Sequence, residues 1–114
     1  MYYKQMQLQQ KLGNLKKIQK SKKMRQQFIN QMLLGVHEEA VEIMKETAYK
    51  NPDYVEFGWK KGQTFNEEKF KEEIVDLMHF VLNLSIAADM DAEELHMRYL
   101  IKNKVNYERK TNGY

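Results

Sequence analysis

The chain has 114 residues, which fits a single domain over residues 1–114. Hydrophobic residues make up 42% of the chain and charged residues 31%, the net charge is +3, and there are one proline and no cysteine. Disulfides, thiolate metal sites and cysteine nucleophiles are therefore excluded. No apolar run approaches the roughly 20 residues that span a bilayer, and no signal-peptide core follows Met1. We expect a cytoplasmic protein.

Helical periodicity in the first half of the chain predicts two helices. The first covers residues 1–12, and Gly13 interrupts it. Ser21 is a favourable N-cap for a second helix, whose apolar residues recur at helical spacing up to about Tyr49. Pro52 then ends this helix, because proline disfavours helix in the residue before it.

The second half predicts an irregular connector and two further helices. Residues 51–65 hold two glycines and several aromatic residues, and the pattern Thr64-x-x-Glu67 predicts the start of a third helix, with Asn66 as a competing cap. This helix should end near Ala88, and Asp91 should cap a fourth helix. The expected fold is all-α, an antiparallel bundle of about four helices.

Two acidic pairs occupy the predicted second and third helices. Glu39 and Glu42 are three residues apart, as are Glu73 and Asp76, and apolar residues flank all four. Each pair therefore projects from one helix face. Carboxylates near the core repel one another unless a cation lies between them, and Mg²⁺ is the natural partner for oxygen ligands.

The same acidic spacing has a structural alternative. Acidic residues three or four positions apart are common on solvated helices, where lysines pair with them. Lys45, Lys69 and Lys71 are placed to do so. The spacing alone leaves a metal site and an ordinary charged surface equally open.

A basic helix near the C-terminus could supply a phosphate-binding surface. Lys102, Asn106 and Arg109 share one face of the predicted fourth helix. Lysine and arginine bind phosphate oxygens, and asparagine can bind an amide or a sugar hydroxyl. The alternative is a basic helix end that merely complements the helix dipole.

Taken together, these motifs resemble the all-α nucleoside triphosphate pyrophosphatases of the MazG-like superfamily. Within it the chain is similar to the dimeric dUTPases and the phage dCTP/dUTP pyrophosphatases. The resemblance is carried by Glu39-Ala-Val-Glu42, Glu73-Ile-Val-Asp76-Leu-Met-His79-Phe80, Leu8-Gln9-Gln10-Lys11-Leu12, Trp59-Lys60 and Tyr99-x-x-Lys102-Asn103-x-x-Asn106-x-x-Arg109-x-x-x-Gly113-Tyr114.

The resemblance implies a Mg²⁺-dependent dUTP diphosphatase that forms dUMP and pyrophosphate, with Mn²⁺ as the alternative ion. It assigns the metal to Glu39, Glu42, Glu73 and Asp76, with Glu39 or Glu42 also activating the attacking water. It assigns substrate binding to Gln9, Trp59, Phe80, Lys102, Asn106 and Arg109. It further implies a homodimer or higher homo-oligomer in a bacterium or in a bacterial host of a phage.

Two departures from the family pattern concern the nucleotide contacts. Glu56 and Phe57 stand where the family loop usually has an earlier tryptophan-lysine pair, and Lys110 follows Arg109 where glutamine is usual. The first departure bears on contacts to the base and the second on the polarity of the pocket.

Three alternatives to dUTP hydrolysis stay open on the sequence. One is the same chemistry on dCTP or a broader set of deoxynucleotides. Another is a family member that binds nucleotide without cleaving it. The third is a non-enzymatic nucleic-acid-binding protein that uses the seven basic residues between Lys11 and Arg25, where no acid occurs. That alternative leaves the acidic pairs unexplained, so we expect a nucleotide substrate and neither nucleic acid nor membrane as a partner.

Overall fold

The computed structural model describes residues 1–113, and every regular element in that range is a helix. This confirms the expected all-α fold. The described part of the chain contains five helices in the order α1 (Tyr2–Lys11), α2 (Asn14–Lys20), α3 (Lys22–Lys45), α4 (Glu67–Ala87) and α5 (Ala92–Thr111).

The short helix α2 is the element that the sequence did not predict. Gly13 adopts a left-handed conformation with φ of 78°, which reverses the chain direction after α1 at no steric cost. Helix resumes at once in α2, where Leu15 and Ile18 pack against the core. Seven residues are too few to show a clear helical period.

Three side-chain caps set where the long helices begin. Ser21 Oγ accepts a hydrogen bond from the backbone N–H of Met24 at 3.3 Å, and Asp91 Oδ1 accepts one from Glu94 at 2.7 Å. At α4 the competing cap Asn66 is the one used, and its Oδ1 accepts from the N–H of Lys69 at 3.2 Å. Each cap satisfies a helical N–H that has no partner within its helix.

Helices α3 and α4 pack along their length in opposite directions. Arg25 Nε donates to the carbonyl of Ala87 at the start of α3. Further along α3, Gly35 lies against the ring of Phe80. Residues later in α3 therefore contact residues earlier in α4, so the two helices are antiparallel.

Helix α1 crosses α4 and closes the core at one end. Tyr2 packs with Leu82 and Ile86 in the buried apolar cluster. A turn further along α1, Gln5 Nε2 donates to Asn83 Oδ1 at 2.7 Å, and both amide side chains are buried. This register places α1 antiparallel to α4.

Helix α5 is joined to the rest of the chain by a small contact. It has no buried residue, and Ala92 and Leu95 near its start are the residues that pack on the core cluster. The radius of gyration is 18.1 Å, whereas a compact domain of this length would have about 13 Å. The chain is therefore extended, with much of α5 projecting from the bundle.

None of the helices in residues 1–113 has the length and apolar character required to cross a membrane.

Gly35 should be required for the close approach of α3 and α4. A Cβ at this position would lie 2.3 Å from Phe80 Cε1, so we expect Gly35→Ala to lower the stability. The expected loss is about 1–3 kcal/mol, larger than the roughly 1 kcal/mol that alanine contributes to helix propensity. Urea unfolding followed by circular dichroism measures this change.

Phe80→Ala provides the matching control in a double-mutant cycle. With the ring removed, Gly35→Ala should become neutral or stabilising. An equal loss in both backgrounds would show that the contact with Phe80 is not the cause.

Candidate metal and nucleotide site

Three carboxylates meet where α3 faces the first half of α4. Glu39 projects from α3, and Glu73 and Asp76 project from α4 one turn apart. One oxygen of each lies within 4.8 Å of the others. The antiparallel pairing of the two helices creates this meeting point, because positions far apart in sequence become neighbours across the interface.

The surroundings of Glu39 favour its protonated form. Desolvation by burial is the largest cause that raises the pKa of Glu39, a side-chain hydrogen bond with Glu73 is the next, and the negative charges of Glu73, Asp76 and Glu42 raise it further, to about 7. Glu39 Oε2 is buried and has no hydrogen-bond partner in the described chain. A buried acceptor without a partner is costly, and a cation would relieve both the desolvation and the repulsion.

The donor set fits a hard divalent cation. All three side chains offer carboxylate oxygens, which Mg²⁺ and Mn²⁺ prefer, and the group combines ligands from two rigid helices. Asp76 is exposed, whereas Glu39 and Glu73 are half-buried. One side of the cluster is thus open to water and to a substrate.

Glu42 lies outside the group of three. Its Oε1 is 3.2 Å from the ammonium group of Lys45, and its side chain is about half exposed, at 46%. Position 42 is rotated by about 60° from position 39 around the helix axis, which directs the two carboxylates differently. The structure therefore gathers three of the four predicted ligands, and the predicted pairing of Lys45 also occurs.

Phe80 lies near the cluster on α4, and Gln9 lies on α1, which packs against α4. Phe80 is half-buried on α4, one turn beyond Asp76, with its ring against Gly35. Gln9 is buried on α1, and its Oε1 accepts a hydrogen bond from Asn14 Nδ2 at 2.6 Å. Because α1 runs antiparallel to α4, Gln9 lies one turn nearer the acidic end of α4 than Gln5 does.

Buried amides are the feature that sequence reasoning missed here. Gln5, Asn83 and Asn14 form hydrogen bonds beside Gln9, and Asn83 Nδ2 also lies 3.2 Å from Met32 Sδ. The available signal was the spacing of Gln5 and Gln9, which puts two amides on one face of α1 at four-residue spacing. Buried amides require partners, so such a pair indicates a polar network within the core.

Trp59 lies in the connector and faces solvent. It is 74% exposed, and Lys50 Nζ lies 5.6 Å from its ring centroid.

The connector itself is ordered by Asn51, which is buried and donates to the carbonyl of Gln63 at 2.9 Å. An open cavity of about 590 Å³ lies within this connector, between Thr47 and Phe65. Phe57, one of the family departures, has φ of 61° and is 88% exposed.

The basic tail is exposed on α5. Lys102 and Asn106 lie 10 and 14 positions beyond Ala92, which is about 15 and 21 Å along the helix. Helix α5 makes few contacts with α3 or α4 and has no buried residue. Packing within one chain therefore does not place Lys102, Asn106 or Arg109 beside the cluster. Tyr114, the last residue of the tail motif, lies outside the described residues.

The described chain is thus an all-α protein with a carboxylate cluster between two antiparallel helices. Comparison with known proteins identifies the family to which such a chain belongs. The profile of the dUTPase family matches residues 1–95, so the chain belongs to that family. The match includes Gln9, Trp59, Phe80 and the acidic residues, and it ends before Lys102.

Two curated relatives are phage enzymes. A protein named dCTP pyrophosphatase from Enterobacteria phage T4 is 42% identical over 64 residues, which cover 54% of this chain and 37% of that protein. The dCTP pyrophosphatase of Enterobacteria phage LZ5 is 39% identical over the same shares. The matched region is thus little more than a third of either relative. No solved structure matches the chain significantly.

The raised pKa of Glu39 should make the metal-free chain less stable as pH rises. Its pKa is about 7 in the folded chain and near 4.5 when unfolded, so the folded state holds the extra proton between these values. Stability should therefore fall as pH increases through that window, and Glu39→Gln should flatten the change. Thermal unfolding in a chelator from about pH 5 to about pH 8 measures this. Identical pH slopes for the two proteins would contradict the assignment.

Proposed function

We propose that the chain is a Mg²⁺-dependent dUTP diphosphatase, which hydrolyses dUTP to dUMP and pyrophosphate. The observation that carries this proposal is the buried oxygen of Glu39, which has no partner although Glu73 and Asp76 lie beside it. Membership of the dUTPase family and the names of the phage relatives support nucleoside triphosphate pyrophosphatase chemistry. The phage relatives also support a location in the cytoplasm of a bacterial host.

In this proposal the acidic residues bind the metal ion and activate the attacking water. Glu39, Glu73 and Asp76 would hold the ion, with Mn²⁺ as the alternative to Mg²⁺. The ion would neutralise phosphate charge and align the triphosphate when bound. Glu42, kept oriented by Lys45 at the rim of the cluster, or Glu39 would accept the proton of the attacking water.

The identity of the base is the second part of the proposal. Gln9 and Phe80 would contact the base, Trp59 would cover it by stacking, and the α5 residues would bind phosphate. Uracil and cytosine differ at one edge, where an amide can donate or accept depending on its orientation. The relatives are named for dCTP, so hydrolysis of dCTP is the favoured alternative to dUTP.

A homodimer is the third part of the proposal. The accessible surface of the chain is 9303 Å², about 2,700 Å² more than a compact monomer of its mass exposes. A stable protein interface buries about 1,200–2,000 Å² in total, so the surplus is sufficient. Met97, Leu100 and Ile101 form an exposed apolar surface on α5. Lys102, Asn106 and Arg109 lie on the opposite face of α5, so a dimer formed through the apolar surface would leave this basic face turned toward solvent and substrate.

Glu73→Gln should abolish hydrolysis, because it removes a ligand charge while keeping the shape of the side chain. We expect at least a hundredfold loss of kcat/KM with Mg²⁺, measured by pyrophosphate release from a panel of the four deoxynucleoside triphosphates and dUTP. Glu72→Gln is the matched control, because Glu72 is exposed on the same helix and outside the cluster.

If activity is lost in Glu73→Gln but kept in Glu72→Gln, and dUTP is the best substrate, the result supports both the chemistry and the choice of base. Preference for dCTP would retain the chemistry and correct the base. Equal activity of both variants, or no turnover of any nucleotide by the unmodified chain, would refute the enzyme assignment.

Leu100→Glu should dissociate the dimer, because it places a charge in the apolar surface of α5. Sedimentation velocity should show a dimer for the unmodified chain and a monomer for the variant, with folding intact by circular dichroism. Tyr54→Glu is the control, since Tyr54 is 77% exposed in the connector and outside α5. If the unmodified chain stays monomeric at high concentration, the proposed homodimer is wrong.

A further inference from the structure

The first third of the chain carries a second, oppositely charged surface that hydrolysis leaves unexplained. Residues 1–37 contain eight basic residues and no acidic one, while all 16 acidic residues lie between Glu38 and Glu108. A random mixture of charges would not separate in this way, and the small net charge of +3 conceals the separation. The chain is thus polarised along its sequence.

Folding gathers six lysines of this segment at one end of the molecule. Helix α2 packs against both α1 and the start of α3, so the lysines of these three elements become neighbours. All six are exposed, and none forms an ion pair within the described part of the chain. We call this the lysine surface, formed by Lys11, Lys16, Lys17, Lys20, Lys22 and Lys23.

Two of these lysines occupy positions that ordinary helix stability disfavours. Lys22 and Lys23 are the first two residues of α3, and the first turn of that helix holds no acid. The helix dipole places partial positive charge at this end, so lysine is unfavourable there and a bound anion is favourable. The dipole therefore adds to the positive potential of the six side chains.

The lysine surface is well separated from the acidic cluster. Lys23 and Glu39 lie on the same straight helix, 16 positions apart, which corresponds to about 24 Å. At physiological ionic strength this exceeds the screening length of about 8 Å. A polyanion could occupy the lysine surface without repulsion from the cluster, so binding there and hydrolysis are compatible in one protein.

The surroundings of the lysine surface favour nucleic acid over a lipid bilayer. The apolar residues of α2, Leu15 and Ile18, pack against the core. Leu12 and Met24 beside the lysines are exposed, but two isolated apolar side chains do not form the continuous apolar face by which an interfacial helix inserts. Beside Lys17 runs an open groove of about 510 Å³ between α2 and α3. Its polar lining is mainly amide, from Asn14, Gln27, Asn30 and Gln31. Amides bind phosphate, sugar and base edges.

We propose that the lysine surface binds the phosphate backbone of nucleic acid, independently of the proposed metal site. This departs from the expectation from the sequence that nucleic acid is not a partner, because a second surface can bind nucleic acid while the acidic cluster serves the nucleotide. Lysine side chains contact successive phosphates, and the amide groove accepts sugar or base groups next to them. Binding of this kind does not depend on base sequence and weakens steeply with salt, because each neutralised phosphate releases counterions.

A fluorescent single strand of about 20 nucleotides and the matching duplex test this directly. Anisotropy titrations between about 50 and 200 mM salt give the affinity and its salt dependence. In the triple variant Lys16→Gln, Lys17→Gln, Lys20→Gln, we expect at least tenfold weaker binding at low salt. The slope of log K against log salt for the single strand should fall by about 2, the value for three lost phosphate contacts.

The matched control changes the same net charge elsewhere. Lys61→Gln, Lys69→Gln, Lys104→Gln also removes three exposed lysines, from the connector, α4 and α5, and should bind as the unmodified chain does. Equal weakening of both triple variants would overturn the proposal, since net charge alone would then explain binding. Absence of binding to either nucleic acid would also overturn it. So would binding to vesicles of phosphatidylcholine and phosphatidylglycerol in place of the oligonucleotides.

Discussion

The close contact between Gly35 and Phe80 governs how the rest of the molecule is arranged. It lets α3 and α4 approach until a glycine without a side chain meets an aromatic ring, and it fixes their antiparallel register. That register brings Glu39 opposite Glu73 and Asp76, whose carboxylates are otherwise more than 30 positions apart in sequence. Glycine in a helix interior lowers the stability of that helix, and the close packing of α3 on α4 offsets this loss.

The acidic cluster shows how partial burial changes the ionisation of an ordinary side chain. A carboxylate on an exposed helix would be solvated and ionised, whereas the half-buried Glu39 is partly desolvated and lies beside two other carboxyls, which together raise its pKa. A cation bound in the proposed way would offset the free energy that this arrangement costs the folded chain. The stability of the chain and its affinity for metal would then both depend on the same repulsion between carboxylates.

The sequence was most informative where local chemistry decides the structure. Caps at Ser21 and Asp91 and the long apolar periods of α3 and α4 predicted the major helices, and the spacing of Glu73 and Asp76 predicted two members of the carboxylate cluster. It could not show which way Glu42 turns, because that depends on the choice between Lys45 and the cluster. It also could not show α2 or the buried amides of α1, since both depend on contacts between helices that are distant in sequence.

The thin attachment of α5 has a consequence for when such a protein would act. If activity requires the proposed homodimer, two chains must meet before either acts, so at low abundance the amount of dimer rises with the square of the chain concentration. A few molecules made early in expression would leave nucleotide pools untouched, and a later, larger supply would change them abruptly. The amount of protein made would then time the activity. Because α5 contacts its own core near Ala92 and Leu95, the rest of its apolar surface is available to a second copy, and the affinity of that contact would set the threshold.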